Sequence, residues 1–373
     1  MTLEKRIGTF HKLGRLLDSY LEYATDSIYV NKATGKKMNS DSTSVFEKID
    51  HVIEETGYFN PWFTKQNILF SISEIARVLT EENLIKWLSP YPNHELEPEN
   101  PQKIGVILAG NLPMVGFHDF LSVLITGHRF TGKLSSKDDK LLPLLGNLLS
   151  DYCNGGFRGI IEFEESRIKD IDAIIATGSD NTYRYFEYYF GKYPHIFRKN
   201  RNGVAVIKGT ETVNQLTDLA KDIFMYFGLG CRNVSKLFVP EHYQFNLFFE
   251  AIEKYKFLTE HNKYMNNYTY YRSVYLLNRI PYLDNGFLIL KQDKGYHSPI
   301  ACLFYEFYDS PDTLADKLIQ DNNLIQCIVG EKLPGVKTIP PGRSQHPELW
   351  DFADHIDTID FLINLGKKTG NGL

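Results

Sequence analysis

The chain has 373 residues, 43% of them apolar, which is enough for two or three domains with substantial cores. A formal net charge of -5 with no long Lys/Arg block argues against nucleic acid as the main partner and favours a small-molecule role. The four cysteines, Cys153, Cys231, Cys302 and Cys327, are far apart, with no C-x-x-C pair and no histidine at ligand spacing, so neither a metal site nor a disulfide framework is expected.

Met1 is followed by Thr2, Leu3, Glu4, Lys5 and Arg6, without the apolar run of a secretory signal, which predicts a cytoplasmic protein. Residues 1 to about 95 are predicted to be mostly helical, with Leu13, Leu16, Leu17 and Leu21 on one face and Ile68, Ile72, Ile75 and Leu79 on another. The polar stretch 34–43 is predicted to be a loop. The longest apolar stretch, 104–126, carries Asn111, Pro113, His118 and Asp119, too polar for a membrane span, and reads as strand, turn and helix. Beyond Lys103, strands are predicted over 104–109, 173–176, 204–207, 237–239 and 286–290, with helices over 114–125 and 182–189. That alternation implies an α/β protein with a parallel, doubly wound sheet. A Gly/Thr-rich point after a strand, 208–212, marks the passage between domains, giving 1–208 and 209–345 with a C-terminal segment 346–373.

Val213, Leu216, Leu219, Ala220, Ile223, Phe224 and Phe227 recur at helical spacing before Gly228 and Gly230 stop the helix. Cys231 is therefore placed on a turn before a strand. Nearby cations, here Arg232 and Lys236, or backbone N–H groups favour the thiolate of a nucleophile at such a place; the alternative is a small buried cysteine. In Gly110-Asn111-Leu112-Pro113 the Asn111 amide is predicted either to donate to a developing oxyanion or to cap the following helix. The segment from Gly127 to Leu134 nearly matches a phosphate-cradling P-loop, but Leu134 replaces the hydroxyl residue and a helix precedes it where a strand is needed. Lys133 is instead expected to meet a cofactor phosphate or ribose. Ala176-Thr177-Gly178-Ser179-Asp180 ends a strand and opens a helix, which suits a pyrophosphate, or a plain N-cap at Ser179 or Asp180. Neither G-x-G-x-x-G nor G-x-S-x-G is present. Tyr clusters in 183–193 and 264–275 suggest core packing or an apolar binding wall, and His118, His128 and His297 are either proton donors or structural residues.

Together, the order and spacing of these pieces over 103–239 resemble the aldehyde dehydrogenase superfamily, most closely the LuxC-type fatty acyl-CoA reductases. Asn111-Leu112-Pro113 looks like the family's Asn-Phe-Pro turn, and Lys133-Leu134-Ser135-Ser136 like its Lys-Pro-Ser-Glu segment at the adenosine ribose. Thr177-Gly178-Ser179 matches the Thr-Gly-Ser turn beside the pyrophosphate, and Cys231 with Ser235, Lys236 and Val239 matches the nucleophile segment. The closing stretch from Gly342-Arg343-Ser344-Gln345 to Phe361 is similar to the LuxC-type carboxyl end.

The resemblance implies two open Rossmann-like parallel-sheet domains with an N-terminal helical region. It implies Cys231 and Asn111 as catalytic residues, with Lys133, Ser135, Ser136, Gly178 and Ser179 at the cofactor. Where oxidising relatives carry Glu-Leu-Gly-Gly this chain has Arg201-Asn202-Gly203, so the carboxylate that activates water is missing, which favours reduction of an acyl thioester over formation of acid. Ser136 replaces the glutamate of NAD-preferring relatives, which favours NADPH. Leu229 replaces a glutamine, and the Glu-x-Phe-Gly-Pro motif is reduced to Tyr296-His297-Ser298-Pro299, so the family's nicotinamide-ribose contact does not carry over to these positions. The expected donor is acyl-CoA or an acyl-protein thioester. An acyl-protein synthetase partner and homo-oligomers are also implied, although no subunit-pairing β-hairpin precedes Lys103. A hydrolytic aldehyde dehydrogenase, an acyl transferase and an interaction protein of the same fold are the alternatives.

Overall fold

The protein is represented by a computed structural model that describes residues 1–29, 40–151, 156–166, 168–178 and 180–365. It divides into two compact units, Met1–Lys199 with Glu348–Leu373, and Asn200–Pro347.

The first unit opens with four helices, α1 Leu3–Tyr29, α2 Ser40–Phe59, α3 Lys65–Val78 and α4 Glu81–Leu88. Thr64 and Thr80 start α3 and α4 by accepting the N–H groups of Asn67 and Asn83, as short hydroxyl side chains do at helix starts. Leu13 and Leu17 of α1 are buried, as are Ile68, Ile72, Ile75 and Leu79. Gly14 lets the helices approach, since a Cβ there would lie 2.8 Å from that of Leu79. The predicted loop 34–43 lies outside the described residues over 34–39, and 40–43 belong to α2.

Next come β1 Lys103–Ile107, α5 Phe117–Ile125, β2 Arg129–Lys133, α6 Leu141–Asp151, β3 Ile161–Glu164, β4 Ala173–Thr177, α7 Asp180–Phe190 and β5 His195–Arg198. The five strands are all parallel, in the order β3-β2-β1-β4-β5. Both faces of such a sheet are covered, which is why Ala173, Ile174, Ile175 and Ala176 are all buried in one unbroken apolar run. Strand order reverses between β1 and β4, so the crevice at their carboxyl ends is the natural ligand site of this sheet.

The second unit contains β6 Asn202–Val206, α8 Val213–Phe224, β7 Val234–Pro240, α9 Asn246–Ile252, α10 Asn262–Leu277, β8 Leu283–Asp284, β9 Ile289–Gln292, β10 Cys302–Tyr308, α11 Pro311–Gln320 and β11 Ile325–Val329. Its sheet runs β11-β6-β7-β10-β9-β8, parallel except where β8 meets β9. A capping box of Thr212 and Gln215 starts α8, which buries Leu216, Leu219, Ala220, Ile223 and Phe224. The chain then returns to the first unit as α12 Thr358–Ile363, which contacts α5.

Two open, parallel-dominated sheets and a leading helical region match the expected architecture. The expected passage at 208–212 does not: β6 pairs with β7 and β11, so the chain changes units at Lys199/Asn200, before β6 rather than after it. The helix expected over 114–125 begins only at Phe117, because Met114 adopts φ 55° in an intervening turn. The strand expected over 286–290 begins at Ile289, because the Asn285 side chain accepts the Phe287 and Leu288 N–H groups in a turn. The helix expected to reach Phe227 ends at Phe224, because Tyr226 and Phe227 take left-handed backbone angles.

Candidate active site

Cys231 lies on the turn between α8 and β7 and is an exposed residue, whereas Cys302 and Cys327 are buried. After α8 a tight turn, Met225–Gly228, carries three successive left-handed residues: Tyr226 at φ 52°, Phe227 at 59° and Gly228 at 78°. The Asn233 N–H then donates to the Gly230 carbonyl at 3.0 Å, which encloses Cys231 and Arg232 as the two central residues of a turn. The Gly230 N–H in turn donates to Asn233 Oδ1 at 2.8 Å. Asn233 Nδ2 donates to the carbonyls of Asp222 at 3.0 Å and Met225 at 2.8 Å.

From β6, Gly203 closes on this turn, its N–H reaching the Asn233 carbonyl at 3.1 Å. A Cβ at Gly203 would stand 2.6 Å from the Asn233 oxygen and 2.7 Å from that of Arg232. Across the unit, the Asp222 carboxylate accepts the N–H groups of Gly342 at 2.6 Å and Ser344 at 2.8 Å, while Arg232 Nε donates to the Ser344 carbonyl at 2.6 Å. Burial raises the Asp222 pKa in spite of these donors.

Of the two cations expected to favour the thiolate, Lys236 is directed elsewhere. It is 0% exposed, its ammonium lies 2.5 Å from Glu306 and 2.8 Å from the Lys294 carbonyl, and the rings of Phe238 and Tyr296 flank it. Burial lowers its pKa. Ser235 ties together the segments singled out in the sequence, donating to the Tyr296 carbonyl at 2.6 Å and the Gly203 carbonyl at 3.3 Å. His297 is exposed, with Nδ1 3.1 Å from Asn202 Oδ1, and Arg201 donates to the carbonyls of Asn322 and Ile325.

In the first unit, Asn111 follows β1, Lys133 ends β2 with Ser135 and Ser136 just beyond, and Gly178 follows β4. All five therefore cluster at the carboxyl ends of three neighbouring strands. Ser179 lies outside the described residues. The absence of a side chain at Gly110 admits Ser135, whose Oγ would stand 2.3 Å from a Cβ at that position. Ser136 and Lys137 are exposed. A Cβ at Gly178 would be tightly placed, 3.0 Å from side-chain atoms of Phe186 and Thr182. Asn111 does not cap α5, whose N-cap is Gly116.

A residue not singled out in the sequence organises this edge. Asp138 is buried, and its carboxylate accepts the Met114 N–H at 2.8 Å and the Leu141 N–H at 3.4 Å, while its own N–H donates to the Ser135 carbonyl at 3.0 Å. Burial pushes its pKa up to about 6. An Asp one turn ahead of an apolar helix is the sequence signal that could have marked it.

His118 and His128 are structural rather than proton donors. Both are shielded, His118 Nε2 donating to the Leu349 carbonyl at 2.9 Å, and His128 Nε2 to that of Leu362 at 3.1 Å while its Nδ1 accepts the Gln102 N–H. Desolvation lowers both pKa values. The tyrosine clusters part company as well: Tyr185, Tyr188 and Tyr189 are exposed on α7, whereas Tyr264, Tyr268 and Tyr275 are buried along α10.

The architecture is that of the aldehyde dehydrogenase fold, as solved structures that match the chain show. They include the indole-3-acetaldehyde dehydrogenase of P. syringae in complex with NAD+ and IAA (12% identity, 88% of this chain and 72% of that one, TM-score 0.60). The NAD-dependent aldehyde dehydrogenase of Sinorhizobium meliloti matches at 10% identity over 88% of this chain and 70% of that one, with a TM-score of 0.60. For the NAD+ complex of the Bacillus cereus aldehyde dehydrogenase the figures are 13%, 88%, 72% and 0.56. No family model and no curated protein matches the chain.

Proposed function

We propose that the protein is an NADPH-dependent reductase that converts a long-chain acyl thioester to the aldehyde through an acyl-cysteine. The observation that carries this reading is Cys231, an exposed cysteine on a doubly hydrogen-bonded turn between a helix and a strand of the second unit of this fold. Arg201-Asn202-Gly203 at the start of β6 offers no carboxylate to activate water, which supports reduction over acid formation.

The Cys231 sulfur bonds to the thioester carbonyl carbon, the bond from that carbon to the departing thiol breaks, and the thiol takes up the proton that Cys231 has lost. The Cys231 backbone N–H and the Asn111 amide are the donors assigned to the oxyanion. Lys133, Ser135, Ser136 and Gly178 fit a dinucleotide: they lie at the carboxyl ends of adjacent strands at the switch point. Bound there, NADPH would supply a hydride to the acyl carbon, and Cys231 would leave as the thiolate that began the cycle. Exposed Ser136 and Lys137, neither of them acidic, support a 2'-phosphate on the cofactor.

The same reading takes the acyl group from acyl-CoA or from an acyl-protein synthetase partner, and expects a homo-oligomer in the cytoplasm. Among the described residues no helix is long and apolar enough to cross a membrane. The test is NADPH oxidation on adding tetradecanoyl-CoA or hexadecanoyl-CoA, with Cys231→Ala in parallel and the product assayed as aldehyde. Cofactor oxidation with aldehyde formation, silent in the variant, is expected; consumption of neither reactant overturns the reading.

A further inference from the structure

We infer that Asn233 is a positioning residue for Cys231, holding the nucleophile turn in its reactive shape through a side chain that never meets the substrate. The inference rests on Cys231 being the nucleophile, as proposed above. Asn233 is 2% exposed, and its amide is fully engaged. The oxygen accepts the Gly230 N–H and the two N–H groups reach the carbonyls of Asp222 and Met225, while the backbone N–H of the same residue donates to the Gly230 carbonyl. An amide has two donors, and both are used. A single side chain therefore joins the last turn of α8, the left-handed Met225–Gly228 segment and both ends of the turn that contains Cys231.

These contacts lie where the backbone needs restraint. Tyr226 and Phe227 are large residues held in the left-handed region, a conformation that persists only when surrounding contacts over-determine it. The Asn233 amide supplies such contacts on both sides of that segment, at the Asp222 and Met225 carbonyls before it and the Gly230 N–H after it. The bond from Met225 C=O to Asn233 bridges the segment directly. Without the two donors the segment is released toward ordinary backbone angles, and the Cys231 sulfur and N–H shift from the positions in which attack and oxyanion binding coincide. Displacements of about 1 Å at a reacting group lower rates by roughly 10²-fold. The surrounding bonds of Asp222 and Arg232 to 342–344 brace the same turn from outside but do not cross the left-handed residues.

Asn233→Ala removes the amide, and Asn233→Asp keeps its size and one acceptor while removing both donors. The measurement is single-turnover acylation, read as thiol released from hexadecanoyl-CoA without cofactor, alongside the KM for the thioester in steady state, NADPH binding and thermal unfolding. Leu314→Ala, on the buried face of α11, controls for lost stability alone. Acylation should fall about 10- to 100-fold in both Asn233 variants, with the KM and the NADPH Kd within about twofold of the parent, while Leu314→Ala acylates normally per folded molecule. Partial recovery of Asn233→Asp at acidic pH, where the introduced carboxyl regains one donor, is also expected. Parent-like acylation in Asn233→Asp overturns the positioning role while a silent Cys231→Ala leaves the nucleophile standing. Undiminished acylation in Cys231→Ala overturns the nucleophile reading and the positioning role together.

Discussion

The carboxylate of Asp138 accepts the Met114 N–H at 2.8 Å, so that the turn following Asn111 is bonded to the loop following β2. Two loops proposed to serve the oxyanion and the cofactor thus share one buried acid. Its pKa is raised from 3.8 to about 6 because burial disfavours the charge more than the two N–H donors favour it. For an acid raised in this way, the contribution to stability is fully present below the unfolded pKa and is lost as the pH rises through the folded one. Between pH 4 and pH 7 the unfolding temperature of Asp138→Asn should therefore rise relative to that of the parent. A flat difference across that range would mean that Asp138 ionises at its ordinary value.

Asn111→Ala tests the proposed oxyanion role of Asn111. Removing one such donor commonly lowers kcat about 10²- to 10³-fold, and the side chain is not a helix cap whose loss would unfold α5. Turnover should fall by that factor with NADPH affinity preserved. Near-normal kcat would return Asn111 to a structural role.

Ser136→Glu tests cofactor choice. Ser136 is exposed just beyond β2, and a carboxylate there repels a 2'-phosphate while accepting ribose hydroxyls. The ratio of NADPH to NADH affinity should drop at least about tenfold, measured by fluorescence titration of both cofactors. An unchanged ratio would place the 2'-phosphate elsewhere.

Gly203→Ala tests the closeness of β6 to the turn that carries Cys231. The added Cβ would meet the Asn233 and Arg232 carbonyl oxygens at 2.6 and 2.7 Å, and both are backbone atoms without freedom to swing aside. Overpacking of this kind typically destabilises by about 1–3 kcal/mol. Denaturant unfolding should show that loss, and the iodoacetamide reactivity of Cys231 should change with it.

Much of this was legible in local pattern. Unbroken apolar runs marked β1, β4, β6 and β7, because strands covered on both faces need no polar alternation. Glycine and helical spacing placed Cys231 on a turn between α8 and β7. The strands β2, β3, β5, β8, β10 and β11 were passed over; in β2, Arg129–Lys133 carries Arg, Thr, Gly and Lys in a short run, and its likeness to a P-loop drew attention to glycine and lysine rather than to a strand. Lys236 was legible as a cation near Cys231 in sequence, yet a strand sends neighbouring side chains to opposite faces, and only its pairing partner β10 put Glu306 within reach.

By itself, then, the sequence determined the alternation of strands and helices, the turn that carries Cys231 and the order of the motifs, because each depends on residues within a few positions of one another. Tertiary structure decided which sheet β6 joins, where the units divide, which histidines and cations are committed to structure, and that Asp138, Asp222 and Asn233 organise the loops. The reason is physical. Those outcomes depend on burial and on hydrogen bonds whose partners meet only after folding, as Asp222 and Ser344 do across 122 positions of chain. No local spacing rule encodes such a contact, since a buried polar group takes whichever partner the packed elements bring to it.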